Sequence, residues 1–236
     1  MMLLDKLLQS QGFGSRKNCQ NLIKNGAVHI GDQIVDDVKY RCDLKHSFFY
    51  TVNGTRYQYR EKVYIALHKP KGYECSHQAT HHFSVFDLFD DLLHARGIQC
   101  VGRLDQDTTG LLLLTDDGQF LQALTHPKKH VAKVYCMQTV DAVTDEQIQQ
   151  LESGVELHQE KGVFAATDVK RLMDGRLQMT VHQGVYHQVK RMLAAVGNKV
   201  EQLHRQQIGA LALENLAEGE WMYLSEQQVQ LARQRD

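Results

Sequence analysis

The first 25 residues carry apolar side chains at the spacing of an α-helix. Leucines at positions 3, 4, 7 and 8 share one helix face, and the GFG stretch that follows interrupts the pattern. Ser15 stands where a helix N-cap is expected, so the sequence predicts a second helix from Arg16 to Asn25, which Gly26 terminates. The chain therefore opens with two consecutive helices.

Short strand patterns follow these helices. AVHIGDQIV predicts two strands around a Gly-Asp turn. SFFYTVNGTRYQY predicts a hairpin, because aromatic and β-branched residues flank Asn53-Gly54. We therefore expect residues 1–60 to form one compact unit of two helices and short strands.

From residue 61 onwards, strand and helix patterns alternate irregularly. The LLLLT run is apolar on both faces, which is typical of a strand in the centre of a sheet. Residues 61–236 are therefore predicted to adopt an α+β fold with a mixed, mostly antiparallel sheet flanked by helices. Predicted helices lie at SVFDLFDDLL, GQFLQALTH, DEQIQQLESG, YHQVKRMLAAVG and the C-terminus; predicted strands lie at VYIALHKP, IQCV, AKVYCMQTV, VEQLHRQQIGALAL and GEWMYLS, with a hairpin at FAATDVKRLMDGRLQMTV.

Composition narrows the class of protein. Hydrophobic residues make up 42% of the chain and charged residues 23%, which is ordinary for a globular protein. No apolar run approaches the roughly 18–20 residues that span a bilayer, and the first residues lack the features of a signal peptide. Five well-separated cysteines without a CxxC pair indicate reduced thiols. We therefore expect a cytoplasmic protein without membrane segments.

Histidines form the one group in the sequence that suggests a metal site. His77, His81 and His82 lie close together in the chain. No set of acidic or cysteine ligands accompanies them, so we expect a solvated loop and no metal.

Charge is distributed unevenly along the chain. Residues 1–60 hold nine Lys and Arg against five Asp, a balance of +4, so the remaining residues must sum to −5 in a chain of net charge −1. The second predicted helix presents Arg16, Lys17 and Lys24. A basic segment on a mildly acidic body suggests a small module for an anionic partner, although a solvated helix face would have the same composition.

The stretch VGRLDQDTTGLLLLTDDG places a charged loop directly before the most apolar run. Arg103, Asp105 and Asp107 lie in this loop. A carboxylate is a usable nucleophile when it is held in place and stripped of water, and burial then requires a cationic partner. A pair of hydrolytic carboxylates at Asp105 and Asp107 is the competing hypothesis, but no array of sugar-binding aromatic residues accompanies them.

This loop and strand resemble the signature of the bacterial ribosomal RNA pseudouridine synthases, of the type that acts on small-subunit (16S) RNA. The matching residues are Gly102, Arg103, Leu104, Asp105, Thr108, Gly110 and Leu111. The resemblance implies that residues 61–236 are a pseudouridine synthase catalytic domain and that Asp105 is its catalytic carboxylate. It also leads us to expect that Arg103 braces the loop or binds a flanking phosphate.

Three later stretches extend the resemblance. In KHVAKVYCMQTV, Tyr135 takes the place of a tyrosine that packs against the target uracil in that family. In HQGVYHQVKRMLAAVGN, Lys190 takes the place of the basic partner of the catalytic carboxylate, and Arg191 is left to RNA phosphate or to structure. Leu203 of LHRQQIGALAL is expected to line the pocket, whose floor would be the strand Leu111–Leu114.

The chain departs from the family's pattern at two positions. Gln183 stands where an acidic residue is usual, and Val185 stands where a basic residue is usual. One RNA contact is therefore expected to be missing or supplied elsewhere, while the proposed nucleophile is unaffected.

The N-terminal segment has a resemblance of its own. LDKLL, SRKNCQNLIKNGAV and GDQIV resemble the α-L RNA-binding module of a small-subunit ribosomal protein and of several RNA-modifying enzymes. The resemblance implies that the second helix, with Arg16, Lys17 and Lys24, contacts the phosphate backbone. Such contacts position a protein on RNA without reading its sequence.

Together the resemblances imply an RNA isomerase that needs no cofactor. The uridine must be flipped into a pocket, where Asp105 attacks the ribose carbon, attacks carbon 6 of the base or abstracts a sugar proton. The expected partner is small-subunit ribosomal RNA or an assembly particle of that subunit, bound by a monomer. Two alternatives remain: the same chemistry on large-subunit RNA, and a catalytically inert RNA-binding assembly factor.

Overall fold

The computed structural model describes residues 1–44 and 47–234, with the side chain of Pro127 excepted. Lys45, which the N-terminal charge count includes, lies outside these residues. Within the described ranges, no helix combines the length and the apolar character that crossing a membrane requires.

The chain divides into two compact units. The first contains Met1–Val63 together with Phe89–Ile98, and the second contains Tyr64–Leu88 together with Gln99–Asp236. The sequence-based division placed every residue after 60 in the second body, whereas the short segment Phe89–Ile98 packs with the first unit.

In the part of the first unit that the structure describes, there are short strands and three helices. These are α1 (Leu4–Ser10), α2 (Arg16–Lys24) and α3 (Asp91–Ala95), with strands β1 (Met2–Leu3), β2 (Val28–Ile30), β3 (Gln33–Ile34), β4 (Arg41–Cys42), β5 (Phe49–Val52) and β6 (Thr55–Gln58). Strands β3, β2, β5 and β6 form an antiparallel sheet in that order, and β1 pairs with β4. Asn53 and Gly54 have φ values of 49° and 82°, as the predicted hairpin turn requires.

Helix α2 begins at the predicted residue and ends at Lys24, one residue before the predicted end. Ser15 Oγ accepts a hydrogen bond from the backbone N–H of Asn18 at 3.2 Å, and Gly26 follows the last turn with a φ of 68°. Ile23 and the leucines of α1 are fully buried, and each such aliphatic side chain stabilises the unit by roughly 1.5–3 kcal/mol. The prediction of two opening helices is confirmed.

The prediction of one helix over SVFDLFDDLL is wrong. Val85–Leu88 forms a 3₁₀ turn in the second unit, and α3 begins at Asp91 in the first. Asp90 between them is extended, with φ −75° and ψ 165°, and its side chain accepts a hydrogen bond from the backbone N–H of Leu93 at 2.9 Å. An N-cap residue in this conformation cannot continue a preceding helix, so Asp90 divides the segment.

The second unit contains a mixed main sheet with helices packed against it, together with separate pairs of short strands. Its strands are β7 (Tyr64–Lys69), β8 (Tyr73–Glu74), β9 (Phe83–Ser84), β10 (Gln99–Cys100), β11 (Thr108–Thr115), β12 (Lys133–Thr139), β13 (Val155–Glu156), β14 (Val163–Phe164), β15 (Thr167–Arg171), β16 (Leu177–Val181), β17 (Val200–Ile208), β18 (Leu211–Ala212) and β19 (Trp221–Tyr223). Its helices are α4 (Gly118–Thr125), α5 (Asp145–Ser153), α6 (Gln188–Ala195) and α7 (Glu226–Arg233), with a 3₁₀ turn at Pro127–Lys129.

Strand β11 lies inside the main sheet. The order is β15-β16-β12-β17-β11-β7-β19, with β10 paired to β11 and β18 paired to β17. Every pair in this sheet is antiparallel except the β11–β17 pair, so the predicted mixed, mostly antiparallel sheet is confirmed. Leu111–Leu114 are exposed by 1% or less, as expected for a strand covered on both faces.

A close backbone approach fixes the start of β11 against β17. In the parallel register Gly110 opposes Arg205, and a Cβ at Gly110 would collide with the carbonyl oxygen of Arg205. Gly110 also has a φ of 105°, which residues with a side chain rarely adopt. Glycine is therefore required where the charged loop joins the central strand.

We predict that Gly110→Ala destabilises the protein by about 3 kcal/mol or more, because backbone strain and a collision with main-chain atoms act together. Gly175→Ala is the matched control, since its φ is 83° but no atom lies within 4 Å of an added Cβ. The control should cost only about 1–2 kcal/mol of strain. Thermal unfolding followed by circular dichroism measures both, and equal losses for the two variants would contradict the close-approach argument.

Candidate active site

A buried lysine on β7 binds the backbone of the loop that precedes β11. Lys69, at the end of β7, has no exposed surface, and its Nζ donates to the carbonyl oxygens of Pro70 at 2.9 Å, Gln106 at 3.3 Å and Thr108 at 2.9 Å. Burial lowers the pKa of Lys69, while the nearby carboxylates of Asp105 and Asp107 act in the opposite direction. The loop backbone that carries both aspartates is therefore fixed to β7.

Asp105 and Asp107 share one ammonium group. Lys190, on α6, donates from Nζ to Asp105 Oδ2 at 2.9 Å and to Asp107 Oδ1 at 2.7 Å. Burial alone would lower the pKa of Lys190, but the two carboxylates raise it above its ordinary value. Burial would likewise raise the pKa of Asp107, but the hydrogen bond and charge of Lys190 lower it. The pairing of Asp105 with Lys190 agrees with the sequence-based assignment.

His187 is a second partner of Asp105 that the sequence analysis did not assign. Its Nε2 lies 3.2 Å from Asp105 Oδ1. His187 precedes α6 in a left-handed conformation with φ 51° and ψ 32°, which is uncommon for a residue other than glycine. The available signal was its position in the HQGVYHQVKRMLAAVGN motif, three residues before Lys190.

A cavity of about 170 Å³ opens beside these groups. All five residues predicted to act on or surround the substrate line it: Arg103, Asp105, Tyr135, Lys190 and Leu203. Gln183 and Val185, the two departures from the expected pattern, also line it. The structure therefore brings residues from four separated motifs to one concave surface.

The predicted floor of this cavity is wrong. Leu111–Leu114 do not line it, because β11 is covered on both faces and its leucines pack into the core, where Leu111 and Leu113 join a cluster around Phe120. The apolar wall instead comes from residues of several elements: Val101, Leu104, Leu124, Val181, Val189 and Ile208.

A buried arginine contacts the hydroxyl group of Tyr135 in the cavity. Arg205 is 2% exposed, its Nε donates to the carbonyl oxygen of Leu111 at 2.8 Å, and its Nη1 lies 3.5 Å from the hydroxyl of Tyr135. Its Nη2 has no hydrogen-bond partner among the described residues. Burial, together with the charge of Arg205, lowers the pKa of the neighbouring Lys133 to about 8. Both cations line the cavity.

Comparison with known protein families identifies the family to which this chain belongs. The family described as RNA pseudouridylate synthase matches residues 63–195, and the S4 domain matches residues 2–46. The chain belongs to the RNA pseudouridylate synthase family. The charged loop with Asp105, strand β12 and the whole of α6 lie within the range matched by this family.

Bacterial relatives match over nearly the whole chain. A Salmonella typhimurium protein named ribosomal small subunit pseudouridine synthase A is 37% identical over 229 residues, covering 97% of this chain and 98% of the relative. The Escherichia coli K12 protein of the same name is 36% identical with the same coverage. A Bacillus subtilis protein named uncharacterized RNA pseudouridine synthase is 38% identical over 234 residues, covering 98% of each chain.

A solved structure supports the same assignment of fold. The crystal structure of a pseudouridylate synthase is 34% identical in sequence, with a TM-score of 0.68 over 98% of this chain and 100% of that chain. The predicted pseudouridine synthase fold is therefore confirmed, as is the N-terminal RNA-binding type of module through its S4 match.

The three basic residues predicted on α2 differ in their surroundings. Arg16 Nε donates to Asp5 Oδ2 at 2.8 Å, and Asp5 is almost fully buried while Arg16 remains about half exposed. Lys17 and Lys24 are exposed. Arg16 is thus partly neutralised by its ion pair with Asp5 inside the unit. Lys17 and Lys24 are therefore better placed to bind an external anion.

Arg191 has structural contacts in this synthase. Its guanidinium donates to Glu160 Oε1 at 3.1 Å, to the carbonyl oxygen of Tyr186 at 3.0 Å and to the carbonyl oxygen of His158. Of the two roles that the sequence left to Arg191, these contacts support the structural one.

No metal-binding group was found in residues 1–44 and 47–234, in the sense of three or more His, Cys, Asp or Glu side chains placed to hold an ion. His77 instead stacks on Phe86, with ring centroids 3.5 Å apart. His81 and His82 are exposed.

Cys75 contacts the loop that carries Asp105. Cys75 Sγ accepts a hydrogen bond from the backbone N–H of Leu104 at 3.4 Å, directly before Asp105. A hydrogen bond from the Cys100 thiol lowers the pKa of Cys75 to about 7, against the effect of burial. The same bond and burial raise the pKa of Cys100. The Cys75 thiol is therefore more acidic than an ordinary cysteine, which favours its reactive thiolate form.

We predict that iodoacetamide alkylates Cys75 with a midpoint near pH 7, because the thiolate is the reactive form. Cys42, whose pKa burial raises to about 11, should stay unmodified in the folded protein. Peptide mass spectrometry after brief exposure between pH 5.5 and 9 gives both profiles. Cys100→Ala should move the Cys75 midpoint upward, and an unchanged midpoint would show that the Cys100 hydrogen bond is not the cause.

Proposed function

We propose that this synthase isomerises a uridine of small-subunit ribosomal RNA to pseudouridine, with Asp105 as the catalytic carboxylate. The observation that carries the proposal is the Asp105 carboxylate, held between Lys190 and His187 at the edge of a cavity walled by Tyr135. The names of the Salmonella and Escherichia coli relatives support the small-subunit target.

The reaction breaks the bond between uracil and ribose, turns the base and rejoins it through carbon 5. Atoms and electrons are conserved, so the chemistry requires neither a redox cofactor nor an energy source. A base stacked in RNA cannot turn, so the nucleotide must leave the stack and enter a pocket. The half-enclosed cavity beside Asp105 supplies such a pocket.

The cavity residues provide distinct functions for a flipped uridine. Tyr135 offers a ring against which the base stacks, and Leu203 offers an apolar contact. The free Nη2 of Arg205 would donate to a carbonyl oxygen of uracil, which would satisfy a buried N–H group. Lys190 orients the Asp105 carboxylate through its hydrogen bond and stabilises the negative charge of that group in the cavity, where fewer water molecules surround it.

Three first steps are open to a carboxylate in this position. Asp105 can attack the ribose carbon, attack carbon 6 of the base or take a proton from the sugar. All three need an anionic oxygen beside the sugar–base bond, and its two partners Lys190 and His187 leave the carboxylate at the cavity surface, with its side chain 28% exposed.

Of the two roles expected for Arg103, binding RNA is the one that we propose. Its side chain is exposed at the cavity, and it forms no hydrogen bond or ion pair within the described part of the chain. An arginine of this kind is a good partner for a phosphate that flanks the target.

The S4 domain would position the enzyme on its substrate. Lys17 and Lys24 would contact phosphates, which adds affinity without sequence specificity. The substrate would be small-subunit ribosomal RNA or a particle in which that RNA is being assembled. As a modifier of ribosomal RNA, the protein would act in the cytoplasm, and it would act as a monomer.

The competing functions fit the site less well. A hydrolase with two carboxylates needs one of them protonated as a general acid, whereas Lys190 lowers the pKa of Asp107 and contacts Asp105 as well. An inert assembly factor would not need an ordered carboxylate at a cavity. A large-subunit RNA target would disagree with the names of the relatives at 36% and 37% identity, which refer to the small subunit.

We predict that Asp105→Asn lowers pseudouridine formation by about three orders of magnitude or more, since the amide is no nucleophile or base. The assay is tritium release from small-subunit RNA transcribed with 5-tritiated uridine. Asp107→Asn should keep roughly a tenth of the activity, because Lys190 still contacts Asp105. Filter binding should show wild-type RNA affinity for both variants. Normal turnover by Asp105→Asn would overturn the proposal.

The target is tested by mapping pseudouridines in ribosomal RNA from cells that lack this protein. One position of the small-subunit RNA should lose its modification and regain it when the wild-type gene is restored. Asp105→Asn should not restore it. A loss confined to large-subunit RNA would keep the chemistry and reject the target.

We predict that Lys17→Gln with Lys24→Gln weakens RNA binding and reduces the slope of log affinity against log salt by about 1–2, as expected for one or two lost phosphate contacts. Lys170→Gln, an exposed lysine of the second unit, is the control and should leave the slope unchanged. Measurement requires titrations of the same RNA at several salt concentrations. Equal slopes for the double variant and wild type would remove α2 from the RNA-binding surface.

A further inference from the structure

Tyr186 presents an exposed aromatic ring beside the catalytic cavity. Its side chain is 68% exposed, although a tyrosine ring is a large apolar surface. The residue lies in the loop before α6 and, with Arg103, Asp105 and Lys190, lines a groove of about 610 Å³. The proposed reaction gives this ring no role.

The ring is held in position despite its exposure. It stacks on His187, with ring centroids 3.8 Å apart and 18° between the planes. The carbonyl oxygen of Tyr186 accepts a hydrogen bond from Arg191 Nη1 at 3.0 Å, and Arg191 is itself bound to Glu160. A flat ligand would therefore meet a ring that has already lost much of its conformational freedom.

The stacked pair of Tyr186 and His187 contacts the Asp105 carboxylate through His187. His187 Nε2 lies 3.2 Å from Asp105 Oδ1, so the rings of Tyr186 and His187 and the carboxylate form one continuous series of contacts. The cavity and the groove share Asp105 and Lys190. A nucleotide whose base occupies the cavity would therefore place an adjacent nucleotide of the same strand in the groove.

We propose that Tyr186 is a stacking site for the base next to the target uridine in single-stranded RNA. Any base can occupy it, because stacking uses the π-face that all bases have. Glu74 and Asp107 line the same groove, so stacking rather than net positive charge supplies the affinity. Arg103 would bind the phosphate between the two nucleotides. This inference rests on the proposed function.

The first test compares Tyr186→Ala with Tyr186→Phe. Loss of the ring should raise the Kd for a small-subunit RNA fragment and the KM for pseudouridine formation about 5- to 150-fold, the range for one lost stacking contact. Tyr186→Phe keeps the ring and should stay within about twofold of wild type. Met173→Ala, a fully exposed side chain on another loop, should change neither value.

The second test removes the base instead of the ring. Once the target uridine is mapped, short RNAs carry an abasic nucleotide immediately before or after it. At the stacking position, the abasic change should weaken wild type about as much as Tyr186→Ala does, and the two changes together should add little more. Additive losses at both neighbouring positions, or unchanged affinity of Tyr186→Ala for the intact RNA, would overturn the stacking site.

The two proposals fail in different ways. Affinities measured in the Asp105→Asn background need no turnover, so they report on Tyr186 alone. If Asp105→Asn turned over normally while Tyr186→Ala bound RNA weakly, the catalytic assignment would fall and the stacking site would stand. If Tyr186→Ala kept full activity with unchanged Kd and KM, the stacking site would fall and the catalytic assignment would stand.

Discussion

The buried ammonium of Lys69 is the interaction on which the geometry of the site depends. A charge without exposed surface is costly unless its hydrogen bonds are made, and Lys69 makes them with three main-chain carbonyl groups. Two of these belong to Gln106 and Thr108, on either side of Asp107 and just after Asp105. Because the acceptors are backbone atoms, β7 sets the loop position without depending on the loop's side chains.

In the proposed function Asp105 is the reactive group, and the charges around it resolve a conflict between its reactivity and its stability. Water around a fully exposed carboxylate weakens it as a nucleophile, whereas removing the water without replacement destabilises the anion. Lys190 and His187 replace part of the lost hydration of Asp105. Asp107 occupies the second face of the same ammonium and thereby fixes where Lys190 points. Both carboxylates therefore contribute to one geometry, although only Asp105 lines the cavity.

The sequence predicts those parts of the site that lie within continuous motifs. Asp105, Tyr135 and Lys190 followed from motif resemblance, and the hairpin at Asn53-Gly54 and the capped helix α2 followed from local chemistry. Residues defined by distant partners were missed. Arg205 lies 94 residues from Leu111, whose carbonyl oxygen it binds, and Lys69 lies 37 and 39 residues from the loop carbonyls that it binds. Spacing along the chain carries no signal for such contacts.

Charge counting by segment was also too coarse to describe the cavity. Residues 61–236 sum to −5, which by itself argues against an anionic ligand in this body. Yet the cavity lining holds four cationic side chains and one carboxylate: Arg103, Lys133, Lys190, Arg205 and Asp105. Lys133, with a pKa of about 8, remains mostly charged at neutral pH. These few groups set the electrostatic field that an approaching phosphate experiences. Exposed charges elsewhere in the body are largely screened beyond about 8–10 Å at physiological salt. An acidic body can therefore carry a site for RNA.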